Sequence, residues 1–173
     1  MVRRAPVAVL LSVVVLALSA CAVEPKEWTA TVCGAMTPWR KQITDLNSKA
    51  QRQMASAKSA KQTRDNLVAL LHGGEEASEK ARKAVENAGE PDVEHGEQIA
   101  KQFTDSLAAV RDAYAHAGQA IGALATTNDD DFYDGVVDVI TRMNQEYAAG
   151  VLDVTKLESA ELRRAFDENP ACQ

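Results

Sequence analysis

The side chains of this 173-residue chain that could do chemistry are three cysteines, three histidines and a surplus of carboxylates. Cys33 and Cys172 have no C-x-x-C partner and no neighbouring histidine, the surroundings that make a thiol a redox or nucleophilic centre. His72, His95 and His116 each stand apart from other histidines and cysteines, so the i, i+3 or i, i+4 spacing that puts two metal ligands on one helix face is missing. An antiparallel hairpin turning near Pro91 would bring His72 towards His116, but offset along the axis and without a third ligand. Glu75-Glu76 and Asp129-Asp130-Asp131 are adjacent in sequence, and adjacent helical residues point to different faces rather than at one bond. The aspartate run lacks the glycine and glutamate of a calcium loop. Gly73-Gly74 is not followed by Lys-Ser or Lys-Thr, and no G-x-S-x-G elbow occurs. No catalytic residue, metal or cofactor is therefore assigned, and the expectation is a protein that is not an enzyme.

Cys21 belongs to a different chemistry. Arg3 and Arg4 precede the apolar run Val7 to Leu18 and the small residues Ser19 and Ala20, the tripartite plan of an export signal. The run falls short of the roughly 20 residues of a spanning helix, which makes a permanent transmembrane anchor the second choice. Leu18-Ser19-Ala20-Cys21 resembles the bacterial lipobox, in which the cysteine is acylated on sulfur before cleavage ahead of it. The alternative is ordinary signal cleavage around Ser19 to Ala22. Residues 1–20 are thus expected to be a lipoprotein signal peptide and 21–27 a lipidated tether. Two acyl chains hold a protein stably on a bilayer where one does not, which predicts a cell-membrane location on the extracytoplasmic side. Loss of Arg3 and Arg4 leaves 17 basic against 25 acidic residues, a formal charge of −8. That balance argues against nucleic acid and against electrostatic adhesion to anionic lipid.

With Cys21 lipidated, Cys33 and Cys172 remain in an oxidising compartment, where a single intramolecular pairing is open to them. The bridge would tie the start of the domain to its end. Treated as chain entropy, closing so long a loop is worth about 4 to 5 kcal/mol.

The elements that must position these residues read as helices throughout. Ala, Gln, Glu, Lys and Arg are abundant, aromatic content is 5%, and no segment sustains apolar–polar alternation. Stripes with three- and four-residue steps run from Trp28 to Ala57, from Leu67 to Ala88, from Gly96 to Leu124 and from Phe132 to Leu157. Pro38 falls within the first stripe, whose phase survives it, so a kink is expected. Ser59 with Gln62 matches a capping box, Gly89-Glu90-Pro91 closes the second helix, and Asn128 caps the fourth ahead of an acidic first turn. The phase also survives Gly73-Gly74, which reads as close packing. A short fifth helix is expected from Ser159 to Phe166.

Helices one and two could be one rod, because residues 55–60 contain no breaker. A sixty-residue rod of about 90 Å would carry Cys33 beyond reach of Cys172, so the break is kept. Matched lengths and short connections then predict an all-α fold over residues 28–173, an antiparallel up-down four-helix bundle with a short C-terminal helix, closed by one disulfide.

Trp28 to Trp39 (WTATVCGAMTPW), Ala88 to Gly96 (AGEPDVEHG) and Glu161 to Cys172 (ELRRAFDENPAC) resemble an uncharacterised group of small secreted proteins and lipoproteins of actinobacteria. The resemblance spans most of the mature chain and implies a helical envelope protein. It implies no reaction, ligand or catalytic residue.

Function is then expected to be non-enzymatic, a binding or scaffold module tethered to the outer face of the cytoplasmic membrane, with an envelope protein as partner. The alternatives are a lipid- or small-ligand-binding protein, or a metal-dependent enzyme whose residues converge between helices. Alanine-rich stripes let helices approach closely, so a large internal pocket is not expected and a surface site is. Trp28 and Trp39 are read first as core around the disulfide and second as an interaction patch near the membrane. The disulfide-closed end is expected to face the membrane, and the turns near Ala57 and Leu124 to Asn128 to face away.

Overall fold

The computed structural model describes residues 22–172. The export signal and Cys21 lie outside the described residues. Among those described there are five α-helices: α1 (Pro25–Ala55), α2 (Ala60–Glu86), α3 (Gly96–Ala123), α4 (Asp129–Gly150) and α5 (Ala160–Glu168), with 3-10 turns at Val154–Lys156 and Pro170–Cys172. None of them is long and apolar enough to cross a membrane.

Local sequence sets most of the helix boundaries. Glu24 accepts hydrogen bonds from the amides of Lys26 and Glu27, and Pro25 occupies the first turn, where its missing N–H costs nothing. Helix α1 stops at Ala55 and α2 begins after Ser59, whose Oγ accepts from Gln62 N at 3.2 Å. Gln62 answers with its Oε1 accepting from Lys58 N, one residue earlier than a capping box would have it. Asn128 Oδ1 accepts from Asp130 N at 3.0 Å and starts α4; Ser159 Oγ accepts from Leu162 N and starts α5. Helix α1 runs unbroken through Pro38.

The start of α3 is built by backbone shape instead. His95 adopts φ 60°, and a Cβ on Gly96 would come within 2.1 Å of Pro91 O, so only glycine fits beneath that carbonyl. Val23 pairs with this turn: its N–H donates to Glu90 O and its C=O accepts from Asp92 N, both at 2.7 Å, as a single parallel bridge beside Pro91.

Packing joins α1 to α2, α2 to α3, α3 to α4, and α5 with the C-terminal turn to α1; the α2–α3 seam is the most extensive. Buried small residues let the helices approach, Ala77 and Ala81 of α2 beside α1 and Ala113 and Ala117 on α3, and glycine closes the α2–α3 seam itself. Gly74 belongs to it, since a Cβ there would lie 2.7 Å from the ring of Tyr114, while one on Gly73 would meet the methyls of Leu46. Helices α1 and α4 share no extensive interface. Phe132 is the one buried residue of α4, and at its far end the large side chains of α1, α3 and α5 meet around Trp28, Phe103, Leu162 and Phe166.

One expectation needs correction. The fourth stripe continues to Leu157, yet α4 ends at Gly150. Ser106 of α3 is the reason: its Oγ donates to Gly150 O at 2.7 Å and accepts from Leu152 N at 3.1 Å, taking up backbone groups that the next helical turn would have used. The chain then runs extended through Val151, and Leu157 is buried from a loop rather than a helix.

Candidate functional site

Where α1 and α4 part, a cleft of about 490 Å³ opens between α1, α3, the chain after α4, and α5. The cleft is open to solvent along its mouth, a surface site of the kind expected rather than an enclosed pocket. Here α1 and α3 meet through Trp28 and Phe103, too bulky to let the helix axes close up. Val32, Cys33, Met36, Trp39 and Arg40 come from α1, and Phe103, Ser106, Leu107 and Val110 from α3. Tyr147, Val151, Leu152 and Val154 form the opposite side, and Phe166, Asp167 and Cys172 one end. The lining is mostly hydrocarbon and aromatic with a few polar groups, the composition of pockets that hold small apolar molecules.

The floor is rigid. Phe103 and Phe166 stack with ring centroids 5.5 Å apart, and both meet Trp28 edge-on, at 5.2 and 6.2 Å. Trp28 is fully buried, and its indole N–H donates to Gly89 O at 2.8 Å, tying the floor to the α2–α3 turn.

The disulfide forms part of the wall. Cys33 and Cys172 are bonded, with Cα atoms 5.0 Å apart across 139 residues of sequence. Thr37 Oγ1 stands 3.1 Å from Cys33 O and 3.0 Å from Ala171 O and shares its proton between them, so the C-terminal turn is held to α1 twice. Opposite, Ser106 fixes the path of Val151 and Leu152 into the cleft through the bonds that end α4.

The two tryptophans, read together first as core and second as an interaction patch, are split between those roles. Trp28 presents no surface and belongs to the core. Trp39 is partly exposed and lines the cleft; its indole N–H donates to Ser78 Oγ at 3.1 Å, and that hydroxyl donates on to Gly74 O at 2.8 Å. Trp39 is thereby fixed as a wall between this cleft and a smaller pocket of about 290 Å³ over the α1–α2 seam.

Charge at the mouth comes from Arg40 and Asp167. Arg40 is exposed and donates to Thr37 Oγ1 at 3.5 Å, the outer limit of a hydrogen bond. Asp167 is itself engaged in an interaction. Tyr147 and its edge-on neighbour Tyr114, 6.3 Å away, have phenols pushed above their ordinary pKa by burial.

The strongest ion-pair network lies elsewhere. Glu79 of α2 accepts from Arg82 of its own helix at 2.8 Å and from Arg111 of α3 at 2.9 Å. Hydrogen bonds from these two guanidinium groups, with their charge, hold the Glu79 carboxyl down to about 2.

The histidines stay apart: His72 lies 3.6 Å from Glu76, His95 3.7 Å from Glu94, and His116 3.0 Å from Glu146. Among the described residues, no three His, Cys, Asp or Glu side chains come together to hold a metal ion. Asp129 to Asp131 occupy the first turn of α4 beside the Asn128 cap.

Comparisons with protein-family models, with curated proteins and with solved structures return no match for this chain.

Sequence reasoning missed Arg40, Ser106, Tyr147 and Leu152 as site residues. A signal was present for Ser106, a small hydroxyl one residue before Leu107 on an otherwise regular stripe, and for Val151, Leu152 and Val154, an apolar run after a glycine.

Proposed function

We propose that this chain is an envelope lipoprotein of the resembled actinobacterial group, non-enzymatic, anchored through lipid on Cys21 to the outer face of the cytoplasmic membrane, and that it binds an apolar small ligand in the cleft beside Trp39. The observation that carries the ligand reading is the cleft itself, a chamber of about 490 Å³ walled by apolar side chains and braced by the Cys33–Cys172 bond. It favours the ligand-binding reading over a purely scaffolding module, because a spacer has no use for a cavity that forfeits packing.

The fold is read as an up-down-up-down series of α1 to α4 opened along the α1–α4 edge. Short connections and packing between sequential helices support this. The location rests on the lipobox resemblance. With lipid on Cys21, two residues before the bridge at Val23, the attachment point would lie within about 7 Å of Val23 and so close to the α2–α3 turn.

Mass spectrometry of solvent extracts from the natively purified protein tests the ligand. A stoichiometric apolar compound, lost when Leu107→Trp fills the cleft, is expected; extracts indistinguishable between the two proteins would overturn it. The mature N-terminus by intact mass tests the anchor, with a diacylated Cys21 expected and a free amine on that residue counting against it.

A further inference from the structure

An apolar chamber alone does not say which end of a ligand is recognised, but its mouth does. Arg40 stands on the rim, exposed, with one long bond to Thr37 Oγ1 among its possible donors. Asp167, the other rim charge, is already engaged. A guanidinium presents a planar fork of donors that fits a carboxylate or phosphate, and its charge strengthens those bonds. On the opposite lip, Val151 is 52% exposed and Val154 37% exposed, two large apolar side chains left in water beside an apolar cavity. They mark a greasy path into the chamber that a chain can follow.

We infer that the ligand is a single-chain amphiphile with an anionic head, its chain lying in the cleft between Trp39, Phe103 and Leu152 and its head bound by Arg40. The inference rests on the apolar-ligand reading above. The size agrees: 490 Å³ lies in the lower half of the roughly 300–1,000 Å³ span of small-molecule pockets, suited to one chain. So does the position, because Val32 on α1 and Phe103 on α3 each lie seven residues, about 10 Å, from their helix starts beside the Val23 bridge. Tethered through Cys21, the mouth would stand within a few helical turns of the bilayer that supplies such molecules.

The test uses the full chain in vesicles of uncharged lipid and reads quenching of the tryptophan fluorescence, to which Trp28 and Trp39 both contribute, by palmitic acid, palmitoyl lysophosphatidic acid and palmityl alcohol, each brominated in the chain. Quenching is corrected for partition into the vesicles using Val151→Asp, which places a charge on the apolar lip. Both anionic compounds, or one of them, should bind about tenfold more tightly than the alcohol, and Arg40→Gln should remove that preference while leaving the alcohol unchanged. Which anionic compound binds better identifies carboxylate or phosphate as the head, and either result sustains the inference. Binding of both anionic compounds no tighter than that of the alcohol, or a preference that Arg40→Gln leaves intact, would overturn the head-group inference and leave the cleft reading standing. Absence of saturable quenching by all three would overturn both.

Discussion

Val23 lies alongside Pro91 and bonds to the residues on either side of it, so the last stretch of chain before α1 is locked to the α2–α3 turn rather than hanging from it. Val23→Pro removes the N–H that bonds Glu90 O while keeping an extended backbone. It should cost about 1 kcal/mol in urea unfolding, and it should raise amide exchange at Asp92 well above that of the α2–α3 seam. Unchanged exchange at Asp92 would mean the bridge carries no weight.

Reduction of Cys33–Cys172 should cost about 4 to 5 kcal/mol if chain entropy dominates, given the 139-residue separation. Urea unfolding with and without reductant measures it. The same treatment frees the C-terminal turn from α1, so ligand affinity in the cleft should fall before the helical signal does.

The paired glycines should respond in opposite directions. At Gly73 an added methyl meets only the terminal methyls of Leu46, which can rotate aside, and Ala gains up to about 1 kcal/mol of helix propensity over Gly. At Gly74 it meets the Tyr114 ring as far in as Cγ, at 3.0 Å, inside the tightest seam of the fold. Gly73→Ala should be neutral to stabilising and Gly74→Ala destabilising by about 1–3 kcal/mol, a reversal of sign that thermal unfolding of the two variants will reveal.

Glu79 should appear in the acid limb of the stability curve. Its carboxyl is held at about 2 against an ordinary 4.5, so its contribution is complete above 4.5 and is lost as pH falls from there towards 2. Glu79→Gln should lower stability at neutral pH by about 1 kcal/mol, consistent with a partly exposed pair joining two helices, and should flatten the decline between those pH values. An acid limb as steep as that of the unaltered chain would place the titrating carboxylate elsewhere.

What the sequence disclosed and what it withheld divide along one physical line. Ser59 and Asn128 were readable as caps because the groups they satisfy lie two or three residues away. The break at residues 55–60 was readable for a global reason, the reach required between Cys33 and Cys172. The end of α4 was not, because Ser106 imposes it from another helix, forty-four residues earlier. The stripe ending at Leu157 told which residue is buried and not from which element. The cleft was hidden for a like cause: it arises where α1 and α4 fail to meet, a relation between helices that no single stripe carries. Trp28 and Trp39 share a stripe, and only the third dimension separates the one bonded to Gly89 from the one facing the chamber.

The bond between Cys33 and Cys172 also changes what a protease can accomplish. A cut in the connection at 56–59, 87–95, 124–128 or 151–159 severs the backbone, but the two pieces remain one covalent molecule, joined beside the cleft wall. A nicked copy would migrate as a single band until a reducing agent is added. The proposed lipid on Cys21, by holding the first piece, would hold the second as well, so damage to a loop would not by itself release any part of the protein.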